Sequence, residues 1–209
     1  LTDDVAIAIR KITRTASGKV ARYAFEEAKR RNYDTVVAIH KSNILRRTCG
    51  LFLEEVNKAA ASYPGIEVWE YHIDNIAQQL IKNPQIFNNK VLLSTNLFMD
   101  VLSEECSALV GSIGLIYSAN IGDNFAMFEP AHGSAPKYAG LDKVNPVATV
   151  LAGAWMLGYL GEPERSAAIF RATERVISEG KYVTYDLGGN AKLSEMTNAI
   201  AKYTAEELK

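Results

Sequence analysis

Asp34-Thr-Val-Val-Ala-Ile-His40 is the stretch that decides the fold class, because this short β-branched run lies between two segments with helical periodicity. Before it, Ser17 to Arg31 carries apolar residues three and four positions apart. After it, Thr48 to Ala61 returns to helical spacing and ends before the Tyr63-Pro64-Gly65 turn. Ile66 to His72 then alternates as a strand. Helix and strand therefore alternate, which predicts an α/β fold of layered sheet and helices.

The same alternation continues along the chain. Asp74 to Lys82 is helical, Lys90 to Ser94 is a buried strand, and Asn96 can cap a helix that runs to about Val110. Gly111 to Phe128 is punctuated by glycine and favours strands, which indicates a passage into a second domain. We therefore expect one domain at 1–110 and another at 111–209.

A long segment without periodicity follows at Glu129 to Asn145. Loops of this length inside compact domains are usually functional. Three helices come after it, at Pro146 to Leu160, Glu164 to Ser178 and Ser194 to Leu208, and we expect them to cover a sheet.

Composition and charge narrow the classes of partner. With 209 residues, 48% apolar, 23 basic and 24 acidic, the chain is globular and its net charge is −1. This balance argues against nucleic acid or a membrane surface as a partner and favours small molecules. The longest nearly apolar run, Val147 to Leu160, is too short for the ~20 residues of a spanning helix. Cys49 and Cys106 are far apart in apolar company, which predicts reduced thiols and a cytoplasmic protein.

Several common catalytic motifs are absent from the sequence. No two glycines are spaced G-x-G, and the chain has no P-loop, C-x-x-C, H-E-x-x-H or G-x-S-x-G. The remaining candidates are polar residues near predicted strand ends and in the long loop.

Paired carboxylates are the first candidate. Asp100 and Glu104 are four residues apart, so they share one face of a predicted helix, either as a solvated acidic face or as ligands for a divalent cation. Asp74, at the start of another helix, is either an N-cap or a third ligand.

A lysine and a loop complete the candidates. Lys41, in His40-Lys41-Ser42-Asn43, follows a buried strand and is either a surface lysine or a general base. The loop from Glu129 to Gly140 combines His132, Lys137 and Tyr138 with small residues. These groups suit an adenine ring and a phosphate, and they fit a rigid surface loop equally well.

Four motifs in fixed order resemble the metal-dependent β-decarboxylating dehydrogenases, the isocitrate, isopropylmalate and homoisocitrate dehydrogenases. The motifs are His40-Lys41-Ser-Asn43, Asp74 with Gln78 and Gln79, Asn96-Leu-Phe-Met-Asp100, and His132-Gly-Ser-Ala-Pro136 through Asn145-Pro146. The segment 135–146 is most similar to NADP-linked isocitrate dehydrogenases. The resemblance implies that 1–110 is most of a small, dimer-forming catalytic domain and that 111–209 is the C-terminal part of a large, cofactor-binding domain. The family's arginines that bind the substrate carboxylates, its serine that helps to select the substrate and its tyrosine that acts as an acid would precede Leu1.

The resemblance also implies roles for single residues. Asp100 and Glu104 would hold Mg²⁺ or Mn²⁺ in one subunit, and Asp74 would reach the same ion from the partner of a homodimer. Lys41, also from the partner, would take part in proton transfer. In binding NADP, or NAD, Asn43 would lie near the nicotinamide, His132 and Asn145 would bind the adenine, and Lys137, Tyr138 and Tyr185 would contact the 2′-phosphate. Further cofactor-binding residues are implied without a defined place, namely Gln78, Gln79, Gly133, Ser134 and Ala135.

The chain departs from the family pattern at a few positions. Glu104 stands where the family usually has Asp, Met99 replaces a usual Gly, and Cys49 replaces a common Asp. Gly188-Gly189 stand where an Arg often completes the phosphate site of NADP-linked members; Gly-Gly is commoner in NAD-linked ones. The main hypothesis is an NADP-dependent isocitrate dehydrogenase. The alternatives are an isopropylmalate or homoisocitrate dehydrogenase and a noncatalytic regulatory subunit.

Overall fold

The computed structural model describes residues 3–209, which divide into two compact units. The first unit ends at Glu105 and the second begins at Cys106, within a helix that runs to Val110. The sequence predicts the boundary at 110/111, at the end of the same helix.

The first unit is an α/β unit built on a parallel sheet. Its elements are α1 (Arg14–Arg31), β1 (Thr35–His40), α2 (Arg46–Ala60), β2 (Glu67–His72), α3 (Ile73–Lys82), β3 (Val91–Ser94) and α4 (Asn96–Val110). The strand order is β2-β1-β3, and both pairs are parallel. Every residue of the central strand β1 is buried, as expected for a parallel strand covered on both faces. The predicted α/β alternation is therefore confirmed in this unit.

The starts of α1 and α4 differ from the sequence prediction for an identifiable reason. Helix α1 begins three residues earlier, because the Thr13 side chain accepts a hydrogen bond from the Ala16 N–H (3.2 Å) and caps the helix. Helix α4 begins at Asn96 itself, and the Met99 N–H bonds the Thr95 carbonyl. Asn96 is therefore a helical residue and not the predicted cap.

The second unit joins a β-hairpin to three helices. Its elements are β4 (Tyr117–Ile121), β5 (Ala126–Pro130), α5 (Val147–Tyr159), α6 (Pro163–Glu179) and α7 (Leu193–Glu207), with β4 and β5 antiparallel. Trp155 of α5 packs against the rings of Tyr117 and Phe128, each 5.8 Å away between ring centres. Helix α7 packs mainly against α6 and not on the hairpin, which corrects the expectation that all three helices cover a sheet. A hairpin is too narrow to accommodate three helices.

The predicted state of the two cysteines agrees with the structure. Cys49 is buried, Cys106 is partly buried, and the described residues contain no disulfide between them. Among the helices of residues 3–209, none combines the length and apolarity needed to cross a bilayer.

His40, the last residue of β1, is buried beside a second histidine. Its Nδ1 accepts a hydrogen bond from the Ser42 N–H (3.2 Å), so the proton of the neutral ring lies on Nε2. Nε2 is buried without a hydrogen-bond partner among the described residues and lies 3.6 Å from a carboxylate oxygen of Glu70. Burial and the neighbouring His72 lower the pKa of His40, and Glu70 only partly offsets them.

We expect acidification below about pH 6.5 to destabilise the protein through His40. The unfolded chain takes up a proton near that pH, whereas the folded state takes it up only at its lower pKa. The stability contribution of neutral His40 is therefore complete above pH 6.5 and is lost as the pH falls, by at most about 1.4 kcal/mol per pH unit. Urea unfolding between pH 7.5 and 5.5 measures this slope. The pH slope of the free energy of unfolding should become smaller in His40→Gln and should persist in His132→Gln. An unchanged slope in His40→Gln would show that His40 does not cause the pH dependence.

Candidate functional site

Lys41 and Asp74 form an ion pair at one edge of the parallel sheet. Lys41 directly follows β1, and Asp74 lies in the first turn of α3, directly after β2. Because β1 and β2 are parallel with His40 opposite His72, the two side chains arrive at the same edge. Lys41 Nζ lies 2.7 Å from Asp74 Oδ2. The hydrogen bond from this ammonium lowers the pKa of the Asp74 carboxyl below its usual value.

The surroundings of this pair suit proton transfer. The Lys41 side chain is 21% exposed and that of Asp74 is 67% exposed, so a ligand from solvent can reach the carboxylate.

The structure also decides between the two alternatives for Asp74. His72, and not Asp74, is the N-cap of α3, and its side chain makes no capping hydrogen bond. The capping alternative for Asp74 is therefore excluded.

Cys49, which stands where the family commonly has Asp, contacts the backbone of Lys41. Its buried thiol sulfur lies 3.4 Å from the Lys41 backbone nitrogen and accepts the Lys41 N–H. The residue on α2 thereby fixes the backbone of the residue that carries the ammonium.

Asp100 and Glu104 lie one turn apart on α4, and both residues are exposed. Within residues 3–209 of one chain, no cluster of three or more His, Cys, Asp or Glu side chains is arranged to hold a metal ion. The predicted ion site takes Asp74 from a second subunit, so its composition stays a prediction. The donors themselves suit Mg²⁺ or Mn²⁺, which prefer one or two carboxylates plus substrate oxygens and water.

A cleft of about 660 Å³ occupies the second unit, a size typical of ligand pockets. It is lined by seven residues that the sequence analysis singles out, namely His132, Gly133, Ser134, Ala135, Tyr138, Asn145 and Tyr185. It is also lined by residues to which the sequence assigned no individual role, namely Ser112, Ile113, Gly114, Ala139, Gly140, Asp142, Lys143, Val144, Asp186 and Leu193. Asn43, Gln78 and Gln79 belong to the first unit, and their cofactor contacts stay a prediction.

The wall of the cleft is fixed by a hydrogen-bond network around Asp186. The carboxylate accepts hydrogen bonds from Ser112 Oγ (2.6 Å), Asn145 Nδ2 (2.9 Å) and Thr184 Oγ1 (2.6 Å). Partial burial raises the pKa of Asp186, but these bonds outweigh it and hold the pKa below its ordinary value. Asn145 Oδ1 in turn accepts the Val147 N–H (2.9 Å) at the start of α5. The Asn145 amide is therefore locked in one orientation, with one N–H still free of these bonds.

Close packing at Gly114 completes this wall. A Cβ at this position would lie 2.9 Å from Asn145 Cβ and 3.1 Å from Asp186 Oδ2. Only glycine lets the segment after α4 approach the network so closely.

Two tyrosines stand at the rim of the cleft. The hydrogen bond from the Tyr185 hydroxyl to Tyr138, together with Lys137, lowers the pKa of Tyr138, and the same bond raises the pKa of Tyr185. Lys137 Nζ lies 4.9 Å from the centre of the Tyr138 ring, although Lys137 does not line the cleft. The rim therefore presents hydroxyl and ammonium groups that can donate hydrogen bonds to an anion.

Comparisons with known proteins identify the family of this chain. Residues 1–200 match the family model for isocitrate/isopropylmalate dehydrogenase. The chain belongs to this family. It is 46% identical to the homoisocitrate dehydrogenase of Methanocaldococcus jannaschii over all 209 residues, which cover 59% of that protein. It is 43% identical to a probable NAD isocitrate dehydrogenase subunit alpha of Drosophila melanogaster, covering 96% of this chain and 52% of that one.

A solved structure shows the same relationship. The isocitrate dehydrogenase of Methylococcus capsulatus superposes with a TM-score of 0.89 at 41% identity, covering 98% of this chain and 61% of that chain. The structure of this chain is thus a partial isocitrate/isopropylmalate dehydrogenase fold, and the chain spans about three-fifths of the length of such relatives.

We expect Asp186→Asn to lower the free energy of unfolding of this protein by about 1–3 kcal/mol, because three hydrogen bonds lose their charged acceptor. Urea unfolding of the variant and the parent protein measures the difference. The matched control is Glu174→Gln, because Glu174 is an exposed carboxylate on α6 of the same unit. This substitution should lower the free energy of unfolding by less than about 0.5 kcal/mol. Equal stability of Asp186→Asn and the parent would show that the network is not stabilising.

Proposed function

We propose that the protein carrying this chain oxidatively decarboxylates isocitrate to 2-oxoglutarate with hydride transfer to NADP, in the presence of Mg²⁺ or Mn²⁺. The observation that carries the proposal is the Lys41–Asp74 pair at the carboxyl edge of the sheet, in a chain of the isocitrate/isopropylmalate dehydrogenase family. Family members named for isocitrate, isopropylmalate and homoisocitrate all match the chain. The first unit is proposed to form the dimer and the catalytic centre, and the second to bind the cofactor.

The cleft fits a dinucleotide cofactor. Its size suits the adenosine end, its wall contains His132 beside the locked Asn145 amide, and its rim presents the Tyr138 and Tyr185 hydroxyls near Lys137. Hydroxyl and ammonium groups at the rim favour a phosphate there, which supports NADP over NAD. Gly188-Gly189 stand against this preference, since the arginine of NADP-linked members is missing.

The chain's own side chains would bind, orient and transfer protons. Lys41 Nζ can exchange a proton with a substrate hydroxyl or carbon, and Asp74 holds that ammonium in place. Asp100 and Glu104, with Asp74 of a second subunit, are the residues that would hold the divalent ion. When bound, the ion would supply positive charge beside the 2-hydroxyl and its carboxylate, and the nicotinamide would supply the hydride acceptor.

A homodimer is part of this proposal. Leu97 and Val101 of α4 are 59% and 58% exposed beside Asp100. An exposed apolar surface next to a carboxylate that needs a ligand from another subunit suits a contact with a second copy.

Assay of the whole protein with threo-isocitrate, NADP and Mg²⁺ tests the function. We expect turnover that EDTA abolishes and that falls when NAD replaces NADP. Absence of turnover, or turnover that survives EDTA, would refute the proposal.

The second candidate is a homoisocitrate or isopropylmalate dehydrogenase, favoured by the 46% identity to the homoisocitrate enzyme. Comparing kcat/KM for the three acids separates the candidates, because specificity is a ratio of these values. A higher value for homoisocitrate or isopropylmalate than for isocitrate would replace the first candidate.

A further inference from the structure

A second lysine stands at the rim of the cleft, beside the two tyrosines. Lys143 lines the cleft, and its Nζ lies 4.8 Å from the centre of the Tyr185 ring and 5.8 Å from that of Tyr138. Lys137 Nζ approaches the same Tyr138 ring at 4.9 Å. Two ammonium groups therefore gather at one pair of phenol rings, which hold them through cation–π contacts.

No carboxylate neutralises these two lysines in the part of the chain that the structure describes. Neither takes part in an ion pair within residues 3–209. The two acids that line the cleft are engaged elsewhere: Asp142 accepts hydrogen bonds from Ser194 N–H (2.8 Å) and Oγ (2.6 Å), and Asp186 holds the wall network. Two neighbouring cations without a counter-charge form a site that an anion would stabilise.

The backbone near Tyr185 cannot provide a further cation. Gly188 has a left-handed φ of 82°, which favours glycine. At Gly189, a Cβ would lie 2.1 Å from the Val183 carbonyl oxygen, a contact that no side chain can make without moving the backbone. The arginine expected in NADP-linked members is therefore excluded by the local structure, so a cation for a phosphate must come from another segment.

We propose that Lys143 is a specificity-determining residue whose ammonium, with that of Lys137, binds the 2′-phosphate of NADP in place of the missing arginine. This inference rests on the proposed function, because it assigns a ligand group to the proposed cofactor cleft. The loop from 136 to 143 then supplies both charges, and the two tyrosines orient them.

Binding of nucleotide fragments to the whole protein tests the inference. Isothermal titration calorimetry with 2′,5′-ADP and with 5′-AMP gives two dissociation constants, whose ratio reports the contribution of the 2′-phosphate. We expect Lys143→Gln to weaken the binding of 2′,5′-ADP by about 10- to 100-fold, as for the loss of one charged hydrogen bond, and to leave the binding of 5′-AMP unchanged. Lys143→Arg, which keeps the charge, should retain most of the preference.

The matched control is Lys181→Gln. Lys181 Nζ also lies over a tyrosine ring, 5.0 Å from the centre of Tyr182, but Lys181 does not line the cleft. Its removal should leave both dissociation constants unchanged.

The outcomes separate this inference from the proposed function. If the parent protein prefers 2′,5′-ADP and Lys143→Gln keeps that preference, only the role of Lys143 is wrong. If the parent protein binds the two fragments equally, or binds neither, the NADP assignment fails and the inference fails with it.

Discussion

Replacing Lys41 with methionine is expected to lower kcat for isocitrate by about 10³-fold, because removal of a positioned proton-transfer group typically costs 10²–10⁴-fold. Methionine keeps most of the apolar stem, which is largely buried, and removes only the ammonium. Asp74 loses its partner, but its carboxylate is 67% exposed and water can replace the lysine at little cost to folding. Steady-state kinetics with Mg²⁺ and NADP measure the change, and circular dichroism checks the fold.

The control for this prediction lies at the opposite, amino edge of the same parallel sheet, where Lys90 precedes β3. Lys90 Nζ is 3.6 Å from Asp34 Oδ1 and sits over the Trp69 ring, so it is also a lysine paired with an aspartate at a sheet edge. Lys90→Met should leave kcat within about twofold, since the amino edge of a parallel sheet is not where ligands bind. Equal losses in the two variants would show that the Lys41 effect is structural and would remove Lys41 from the proton-transfer role.

Asp100→Asn is expected to weaken Mn²⁺ binding by at least about 100-fold. Loss of a residue that only hydrogen-bonds to a metal ligand typically lowers metal affinity by about 10–100-fold, and Asp100 is proposed as a direct ligand. Asparagine has nearly the same shape, and Asp100 is exposed on α4, so the fold should persist. Electron paramagnetic resonance of free Mn²⁺, titrated into the whole protein, gives the dissociation constant.

Two further variants interpret the Asp100 result. Glu104→Asp restores the usual family residue and should keep Mn²⁺ affinity within about threefold or improve it, because the carboxylate is retained. Glu54→Gln removes an exposed carboxylate of α2 and should have no effect. If Asp100→Asn binds Mn²⁺ as well as the parent protein does, the metal site is misassigned and the noncatalytic alternative gains support.

Local patterns predicted the elements of the fold well. The β-branched run before His40 forms β1, and the helical spacing from Thr48 to Ala61 forms α2, because side-chain periodicity alone decides which face can be buried. Errors concentrate at the ends, as at Thr13 and Asn96, since a helix start depends on a few hydrogen bonds that periodicity does not report. The expectation for the last three helices was wrong because sheet width depends on strand pairing, which is not local.

The candidate site was predicted in part, and what was missed depends on distant contacts. His132, Tyr138 and Asn145 line the cleft as expected. Asp186 was missed because its partners lie 41 and 74 residues away in the chain, at Asn145 and Ser112. Lys143 lies in the segment 135–146 that resembles NADP-linked members, but no role was assigned to it, because a lysine in a loop has no distinctive signal until the rings beside it are known.

The sequence by itself determined the alternation of strand and helix, the family, and the residue types that could carry the chemistry, because these follow from side-chain spacing and from motifs in fixed order. Only the tertiary structure decided that Lys41 meets Asp74, that Asp186 holds the cleft wall and that Lys143 lies beside the rings of Tyr138 and Tyr185. Parallel pairing of β1 with β2, and the hydrogen bonds from Ser112 and Asn145 to Asp186, bring together residues that are distant in the chain. Such proximity depends on the packing of the whole unit and not on any local stretch of the chain.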